Sequence, residues 1–287
     1  MRSASVSNAG YELAFYGGSF TAGPVSRQEE LLGAALPFLR SGVLNGVRIS
    51  TRPDAVDIET AERLGCFGVK TIEIGAQSMI DHVLAASGRG HVAGDTAAAA
   101  RIVKDRGFDL ILQMMTGLPG SSEELDFETA RRVIDLGPAG VRIYPTVVFE
   151  NTVLHEMQKS GTYKEHTLDA AVRVCAKIVP EFEKAGIKVI RTGINTLDDM
   201  ALRRVAAGAY HPAFGELVRS RIMLRKAEEM LSGTACGSEI ALGVSRFRIS
   251  AMTGQNRENL KILSEEFSLK SIKVMPADVE NDEILLL

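Results

Sequence analysis

The sequence predicts an α/β fold in which short strands and longer helices alternate around a parallel sheet. Short runs rich in β-branched and large apolar residues are separated by segments with helical punctuation. Ser121 and Glu124 have the spacing of a capping box, and Gly107 and Gly186 stop helical segments just before a strand. The predicted strands span residues 13–16, 47–51, 71–74, 110–115, 141–144 and 188–192.

The two faces of these predicted strands differ in polarity, which favours a barrel over an open, doubly wound sheet. Side chains alternate between faces along a strand. One face is apolar and carries Leu13, Phe15, Val47, Ile49, Ile72, Ile74, Leu110, Leu112, Val141 and Ile143. The opposite face carries Tyr16, Arg48, Ser50, Glu73, Gln77, Gln113, Arg142 and Tyr144. A strand between two helix layers would be apolar on both faces, whereas a polar face can line a ligand cavity inside a barrel.

The bulk composition is that of a globular protein. A chain of 287 residues that is 45% hydrophobic can bury a full-sized core, which excludes disordered and fibrous classes. A net charge of −3 gives no overall attraction for nucleic acid or an anionic membrane. No signal peptide or membrane span is recognisable, so we expect a cytoplasmic protein without a membrane partner. Cys66, Cys175 and Cys236 are far apart, and we expect buried thiols rather than disulfides.

The loops that follow the predicted strands carry a set of motifs. In a barrel of this kind the site lies at the carboxyl ends of the strands. The motifs are YGGSFTAGP at residues 16–24, STRPD at 50–54, EIGAQS at 73–78 with GRGH at 88–91, and MMTGLPGSS at 114–122 with RIYPT at 142–146. Together, over residues 12–195, they resemble the radical S-adenosylmethionine (radical SAM) domain of the Elongator catalytic subunit and its bacterial relatives. More distantly they resemble oxygen-independent coproporphyrinogen oxidase.

The resemblance implies a partial (β/α)6 TIM-like radical SAM barrel that lacks its first strand and helix, followed by a small C-terminal α+β appendage. We place the barrel at residues 1–195 and the appendage at 196–287. It also implies that the intact family member is an enzyme that cleaves S-adenosylmethionine reductively to a 5′-deoxyadenosyl radical. We expect this chain to be inactive alone, because the cysteines that hold the family's cluster are missing. An electron donor and a tRNA substrate are the partners that the resemblance suggests.

The resemblance also assigns site residues. The S-adenosylmethionine contacts are Gly17, Gly18, Ser19, Ser50, Gln77, Arg89 and Gln113. Ser50 and Gln113 stand where coproporphyrinogen oxidase has carboxylates, so they can share hydrogen bonds there without bringing the charge. Arg142 and Tyr144 are candidate substrate contacts on the cavity side of the sheet. His91 follows Arg89, and a structural role for this histidine competes with a role as a base. No catalytic residue is assigned.

One departure from the family pattern concerns the 4Fe-4S cluster. Three closely spaced cysteines hold this cluster in the family, and they precede the GGSF segment. No cysteine precedes that segment here, and Cys66, Cys175 and Cys236 lack the spacing of cluster ligands, so no metal ligand is assigned. Either the chain is truncated or its lineage lost the chemistry. We favour truncation because the other motifs are retained, and we expect self-association through the exposed edge of the first strand.

Two other functions remain open. The first is a non-catalytic remnant that binds S-adenosylmethionine or RNA. The second is a cofactor-free sugar-phosphate barrel enzyme, in which the glycine-rich turn at residues 116–120 would bind phosphate. In the C-terminal part, Arg246-Phe247-Arg248-Ile249-Ser250 is either an RNA-facing strand or a half-buried strand with a solvated basic face, and a last strand is predicted at residues 272–275.

Overall fold

The computed structural model describes residues 10–194, 204–280 and 282–287. Its strands are β1 (Tyr11–Phe15), β2 (Leu44–Thr51), β3 (Val69–Gln77), β4 (Asp109–Thr116), β5 (Gly140–Pro145), β6 (Val147–Phe149), β7 (Lys188–Thr192), β8 (Val205–Gly208), β9 (Glu239–Val244), β10 (Ser271–Pro276) and β11 (Ile284–Leu286). Its helices are α1 (Val25–Arg40), α2 (Ile58–Cys66), α3 (Asp81–Ala86), α4 (Ala93–Asp105), α5 (Glu123–Asp135), α6 (Val153–Lys159), α7 (Leu168–Lys184), α8 (Phe214–Leu231), α9 (Ile249–Thr253) and α10 (Glu258–Glu266).

The chain divides into two compact units. The first comprises the described residues of Met1–Thr146, Met157–Lys164 and Glu181–Arg191. The second comprises those of Val147–Glu156, Glu165–Pro180 and Thr192–Leu287. The domain boundary predicted between residues 195 and 196 lies outside the described residues.

A curled parallel sheet of six strands, in the order β1-β2-β3-β4-β5-β7, forms the first unit. This half-barrel matches the predicted partial radical SAM barrel, and each of the six strands predicted for the barrel is present. The apolar residues align across the strands, because Phe15 pairs with Ile49, Ile49 with Ile72, and Ile72 with Leu110. Ile49 and Ile72 are fully buried. Burying such a side chain stabilises the fold by about 1.5–3 kcal/mol, so this row specifies the register of the sheet.

Helix α5 starts one residue later than the predicted capping box. The N-cap is Ser122, whose hydroxyl accepts a hydrogen bond of 3.3 Å from the backbone amide of Leu125. The Ser121 hydroxyl instead donates to the carboxylate of Asp126 at 2.6 Å. The predicted cap at Ser121 is therefore wrong, and its hydroxyl fixes the preceding loop.

The second unit contains a small α+β arrangement. Strand β9 pairs in parallel with β10 and antiparallel with β11, which gives a three-stranded sheet in the order β10-β9-β11. Strands β6 and β8 form a separate antiparallel pair. Residues of α8, α9 and α10 pack with the sheet in one apolar core that includes Met223, Leu242, Val244, Met252 and Leu263. The last strand predicted from the sequence corresponds to β10.

The predicted strand at residues 246–250 is wrong. Strand β9 ends at Val244, and the chain turns at Arg246–Arg248, where the Arg248 amide donates to the carbonyl of Ser245 at 2.7 Å. Helix α9 then begins at Ile249. Phe247 is 75% exposed, and the Arg246 guanidinium lies 4.6 Å from its ring centroid. Alternating arginines and apolar residues at this point therefore mark a turn.

The cysteines differ in burial. Cys175 is buried in α7 as expected, but Cys66 and Cys236 are exposed, so the predicted burial of these two is wrong. Cys66 is the last residue of α2, and Cys236 lies in the connection before β9, where little packs over either side chain.

Within the described residues, no group of three His, Cys, Asp or Glu side chains could hold a metal ion. None of the described helices has both the length and the apolar character needed to cross a membrane.

Candidate functional site

A cavity of about 370 Å³ lies at the carboxyl ends of β1 to β4 in the first unit. Its walls come from the loops after β1 and β2, the end of β3, the segment before α4, and the inner face of β4. The lining residues are Gly17, Gly18, Ser19, Ser50, Thr51, Arg52, Gly75, Gln77, Arg89, His91 and Gln113. The structure thus brings together every residue that the sequence assigned to cofactor binding, and it adds Thr51, Arg52, Gly75 and His91.

The turn after β1 exposes backbone to this cavity. Gly17 and Gly18 have φ angles of 103° and 91°, which residues with a side chain rarely adopt. A Cβ atom at either position would meet nothing within 4 Å, so the backbone conformation, and not crowding, requires glycine. The turn is fixed to its surroundings, because the hydroxyls of Thr21 and Thr51 are 2.6 Å apart and share a hydrogen bond. Buried Gln28 also donates to the Thr21 carbonyl at 3.1 Å.

Two glutamines face each other across the cavity floor. The side-chain amide of Gln113 on β4 donates to the side-chain oxygen of Gln77 on β3, with a distance of 2.9 Å. Gln77 has a φ angle of 63°, in the left-handed region that costs a residue other than glycine about 1–3 kcal/mol. The strain accompanies a bulge, since the register of β3 against β4 shifts between Gly75 and Gln77. The amide of Gln77 is thus held in place by its neighbour.

Arg89 brings a cation into the cavity, and none of the described carboxylates is paired with it. Its Nε atom is buried and has no hydrogen-bond partner among the described residues. Its terminal nitrogen lies 3.1 Å from the Met115 sulfur, which is a weak acceptor for a guanidinium. Burial lowers the pKa of Arg89, with no carboxylate acting against it. The other arginine of the cavity, Arg52, is paired with Asp54 at 2.5 Å. Arg89 is therefore suited to bind a carboxylate of a ligand.

An ion pair lies on the polar face of the sheet. The Nε atom of Arg142 is 3.0 Å from the carboxylate of Glu73, and its terminal nitrogen donates to the Tyr16 hydroxyl at 2.8 Å. Glu73 is only 3% exposed, and burial raises its pKa even though Arg142 opposes the shift. Burial likewise raises the pKa of Tyr16. Sequence reasoning placed Glu73 on this face without giving it a role.

The predicted substrate contacts Arg142 and Tyr144 do not line the cavity of about 370 Å³. Both are half-buried on β5, and Arg142 has its charge balanced by Glu73. The sequence signals this pairing only by placing a charged residue on the polar face of each strand, and the two strands, β3 and β5, are separated by β4 in the sheet. Its recognition needs the strand register, which brings residues 69 positions apart into contact.

Asp126 fixes the loop after β4, and sequence reasoning missed it. Its carboxylate accepts hydrogen bonds from the Gly117 amide at 2.9 Å and from the Ser121 hydroxyl at 2.6 Å. Burial raises the pKa of Asp126 to about 6 despite these bonds. The Tyr163 hydroxyl donates to the Gly117 carbonyl at 2.7 Å. The amide of Gly117, at the head of the glycine-rich turn, is therefore already used within the protein.

Comparison with known proteins relates this chain to one superfamily. The family described as the radical SAM C-terminal domain matches residues 138–223. The tRNA uridine(34) acetyltransferase of Methanocaldococcus infernus is 35% identical over 129 residues, which are 44% of this chain and 24% of that protein. Human Elongator complex protein 3 is 30% identical over 183 residues, which are 62% of this chain and 32% of that protein.

A solved structure is also similar. The archaeal Methanocaldococcus infernus Elp3 with an N-terminal deletion has a TM-score of 0.62 and 25% identity, and the match covers 79% of this chain and 55% of that one. The curated relatives are much longer than the matched part, since this chain covers 24% and 32% of the two described above.

Proposed function

Because the chain belongs to the radical SAM superfamily, we propose that the cavity at the ends of β1 to β4 binds S-adenosylmethionine and that the protein acts on tRNA. The observation that carries the first part is the Arg89 guanidinium, which is desolvated in the cavity and has no anionic partner among the residues that the structure describes. The second part is supported by the curated relatives, of which one is named a tRNA uridine(34) acetyltransferase.

The residues around the cavity fit S-adenosylmethionine. The methionine portion of this molecule ends in a carboxylate, and the fork of an arginine can bind both oxygens of a carboxylate at once. Arg89 would hold this carboxylate, and the turn at Gly17, Gly18 and Ser19 would approach the methionine portion with its backbone. The paired amides of Gln77 and Gln113, together with Ser50, offer hydrogen bonds to the hydroxyls of the adenosine portion.

S-Adenosylmethionine supplies a 5′-deoxyadenosyl radical when it is cleaved reductively, and in this superfamily the electron comes from a 4Fe-4S cluster and an external donor. The residues that the structure describes contain no trio of potential ligands, so they do not fit that cluster. What these residues can do is bind and orient the cofactor. Arg89 would orient the carboxylate of the cofactor, and the hydrogen-bonded side chains of Gln77 and Gln113 would orient its adenosine portion.

The same observations bear on the alternatives. A sugar-phosphate enzyme would use free amides of the turn at residues 116–120, but the Gly117 amide is bound to the Asp126 carboxylate, whose charge would repel phosphate. A non-catalytic protein that binds S-adenosylmethionine would use the same cavity. Because the described residues do not fit the cluster, binding of S-adenosylmethionine without formation of 5′-deoxyadenosine, after anaerobic treatment with iron and sulfide and addition of dithionite, would favour this binding protein. Formation of methionine and 5′-deoxyadenosine would favour the enzyme.

Titration calorimetry tests the cofactor proposal. The ligands are S-adenosylmethionine and 5′-methylthioadenosine, which lacks the carboxylate. Loss of a hydrogen bond to a charged group costs about 1.5–3 kcal/mol, so Arg89→Ala should weaken S-adenosylmethionine binding by roughly 10- to 100-fold. Binding of 5′-methylthioadenosine should be unchanged. The control is Arg101→Ala, which removes an exposed arginine from α4 of the same unit.

Equal affinities of the wild type and Arg89→Ala for S-adenosylmethionine would contradict this assignment.

The proposal that the protein acts on tRNA is tested separately by a mobility-shift assay with tRNA and with a DNA duplex of the same length. We expect tighter binding of the tRNA. Equal binding of tRNA and DNA would argue against a tRNA substrate, because it would show that the protein does not distinguish the two nucleic acids.

A further inference from the structure

The end of β3 is a strained three-residue turn. The Ser78 amide donates to the Ala76 carbonyl at 2.8 Å, so a hydrogen bond closes the turn from residue 76 to residue 78. The central residue, Gln77, has a φ angle of 63°. A turn of this kind with positive φ at its centre is the rare and strained form of the γ-turn. Such a conformation persists only where the surrounding structure holds it.

The strain places the Gln77 amide in the cavity. Its nitrogen would lie 2.5 Å from a Cβ atom at position 75, so the side chain folds back over Gly75 in space that only glycine leaves open. Its oxygen then accepts the hydrogen bond from Gln113 at 2.9 Å. A relaxed backbone at Gln77 would move this amide. The turn therefore determines whether the side chain is presented to a ligand.

His91 holds this turn from the opposite loop. Its Nε2 atom lies 3.2 Å from the Ala76 carbonyl oxygen, the same oxygen that accepts the Ser78 amide. A carbonyl oxygen can only accept, so Nε2 carries the proton. Both lone pairs of the Ala76 carbonyl oxygen are then used: one accepts from the His91 imidazole and the other from the Ser78 amide. His91 is 8% exposed, and its Nδ1 atom is buried with no partner in the described part of the chain.

We propose that His91 is a positioning residue, which holds the strained turn at Ala76–Ser78 so that Gln77 faces the adenosine portion of S-adenosylmethionine. This inference rests on the proposed function only for the identity of the ligand. The bound Nε2 and the buried Nδ1 leave the imidazole no open nitrogen with which to reach a substrate as a base. Arg89 lies two residues before His91. The same loop therefore supplies a cation to the cavity and holds the turn that positions the Gln77 amide.

A double-mutant cycle tests the inference. His91→Leu removes the donor, and we expect affinity to fall about fivefold to tenfold, the loss of one hydrogen bond. The fall should be the same for S-adenosylmethionine and 5′-methylthioadenosine, because Gln77 serves the portion that both ligands share. In a Gln77→Ala background, His91→Leu should have no further effect. His91→Gln keeps an amide donor and should restore most of the affinity.

The matched control is His82→Leu, the same substitution at an exposed histidine of α3. It should leave both affinities unchanged. The inference would be overturned if the fold-loss of affinity in the double variant equalled the product of the losses in His91→Leu and Gln77→Ala. His91 would then act independently of Gln77. An effect confined to S-adenosylmethionine would also overturn it, because His91 would then act through Arg89.

A measurement without ligand separates this inference from the proposed function. Hydrogen exchange at the Ser78 amide should be faster in His91→Leu than in the wild type and in His82→Leu, because the turn opens more often. If the wild type does not bind S-adenosylmethionine, the proposed function fails, and the exchange result still decides the role of His91. Unchanged exchange in His91→Leu would contradict the positioning role.

Discussion

The carboxylate of Asp126 accepts a hydrogen bond of 2.9 Å from the backbone amide of Gly117, which ties the start of α5 to the loop after β4. A buried carboxylate is costly when ionised, and burial raises the pKa of Asp126 from 3.8 to about 6. The protonated form is therefore favoured more in the folded chain than in the unfolded chain. The contribution of this group to stability is fully present below pH 3.8 and is lost as pH rises through about 6.

Asp126→Asn should remove this pH dependence. An asparagine can accept from the Gly117 amide and donate to the Ser121 hydroxyl, but it does not titrate. The difference in unfolding free energy between wild type and variant should change by on the order of 3 kcal/mol between acidic and neutral pH, with the wild type losing stability as pH rises. Urea unfolding of both proteins across this pH range measures it. A difference that is constant with pH would show that Asp126 titrates normally.

Alanine should have opposite effects at two glycines that both have open space. Gly18 has a φ angle of 91°, whereas Gly33 lies inside helix α1, and an added Cβ would meet nothing within 4 Å at either position. Gly18→Ala should destabilise the protein by about 1–3 kcal/mol because of backbone strain. Gly33→Ala should stabilise it by about 0.5–1 kcal/mol because alanine is the better helix former. Denaturant unfolding compares the two, and the same sign for both would refute the conformational argument.

The buried pair of Glu73 and Arg142 should be sensitive to loss of one partner. Arg142→Leu removes the cation that is ion-paired with buried Glu73 and leaves Arg48 as the other cation acting on this carboxylate, so the cost should lie near the lower end of about 3–5 kcal/mol. Adding Glu73→Gln in the same chain should recover most of that loss, because the buried charge is then gone. Arg27→Leu, which breaks the exposed pair with Glu30, should cost less than about 1 kcal/mol. Equal losses in Arg142→Leu and Arg27→Leu, measured by denaturant unfolding, would mean that burial of the pair has no energetic effect.

The strands were predictable because their signal is local. Period-two alternation in the segments around Ile49, Ile72 and Leu112 places these residues in the core, where all are fully buried. Five residues of alternating character around Phe247 gave the wrong structure, since a turn and a strand share that pattern over so short a length. Burial of Cys66 was also wrong, because residue type alone does not reveal which side of a helix end is covered.

The contacts that complete the site were not predictable from the sequence. His91 reaches the carbonyl of Ala76, 15 positions earlier in the chain, and Arg142 reaches Glu73 across the sheet. Both pairings depend on the strand register and on loop paths, which single-residue patterns do not encode. The resemblance to the radical SAM domain named Gly18, Gln77 and Arg89, and the structure places all three around one cavity. Gly18 and Gln77 lie at strand ends, which converge at one edge of a barrel, whereas Arg89 lies in the segment before α4 and strand geometry alone did not indicate it.

A crystal structure of the protein with S-adenosylmethionine would show where the ligand binds and how it is oriented. We expect the ligand in the cavity bounded by Gly18, Gln77 and Gln113, with its methionine carboxylate within hydrogen-bonding distance of the Arg89 guanidinium. A ligand bound elsewhere, or one in this cavity whose carboxylate points away from Arg89, would contradict this expectation.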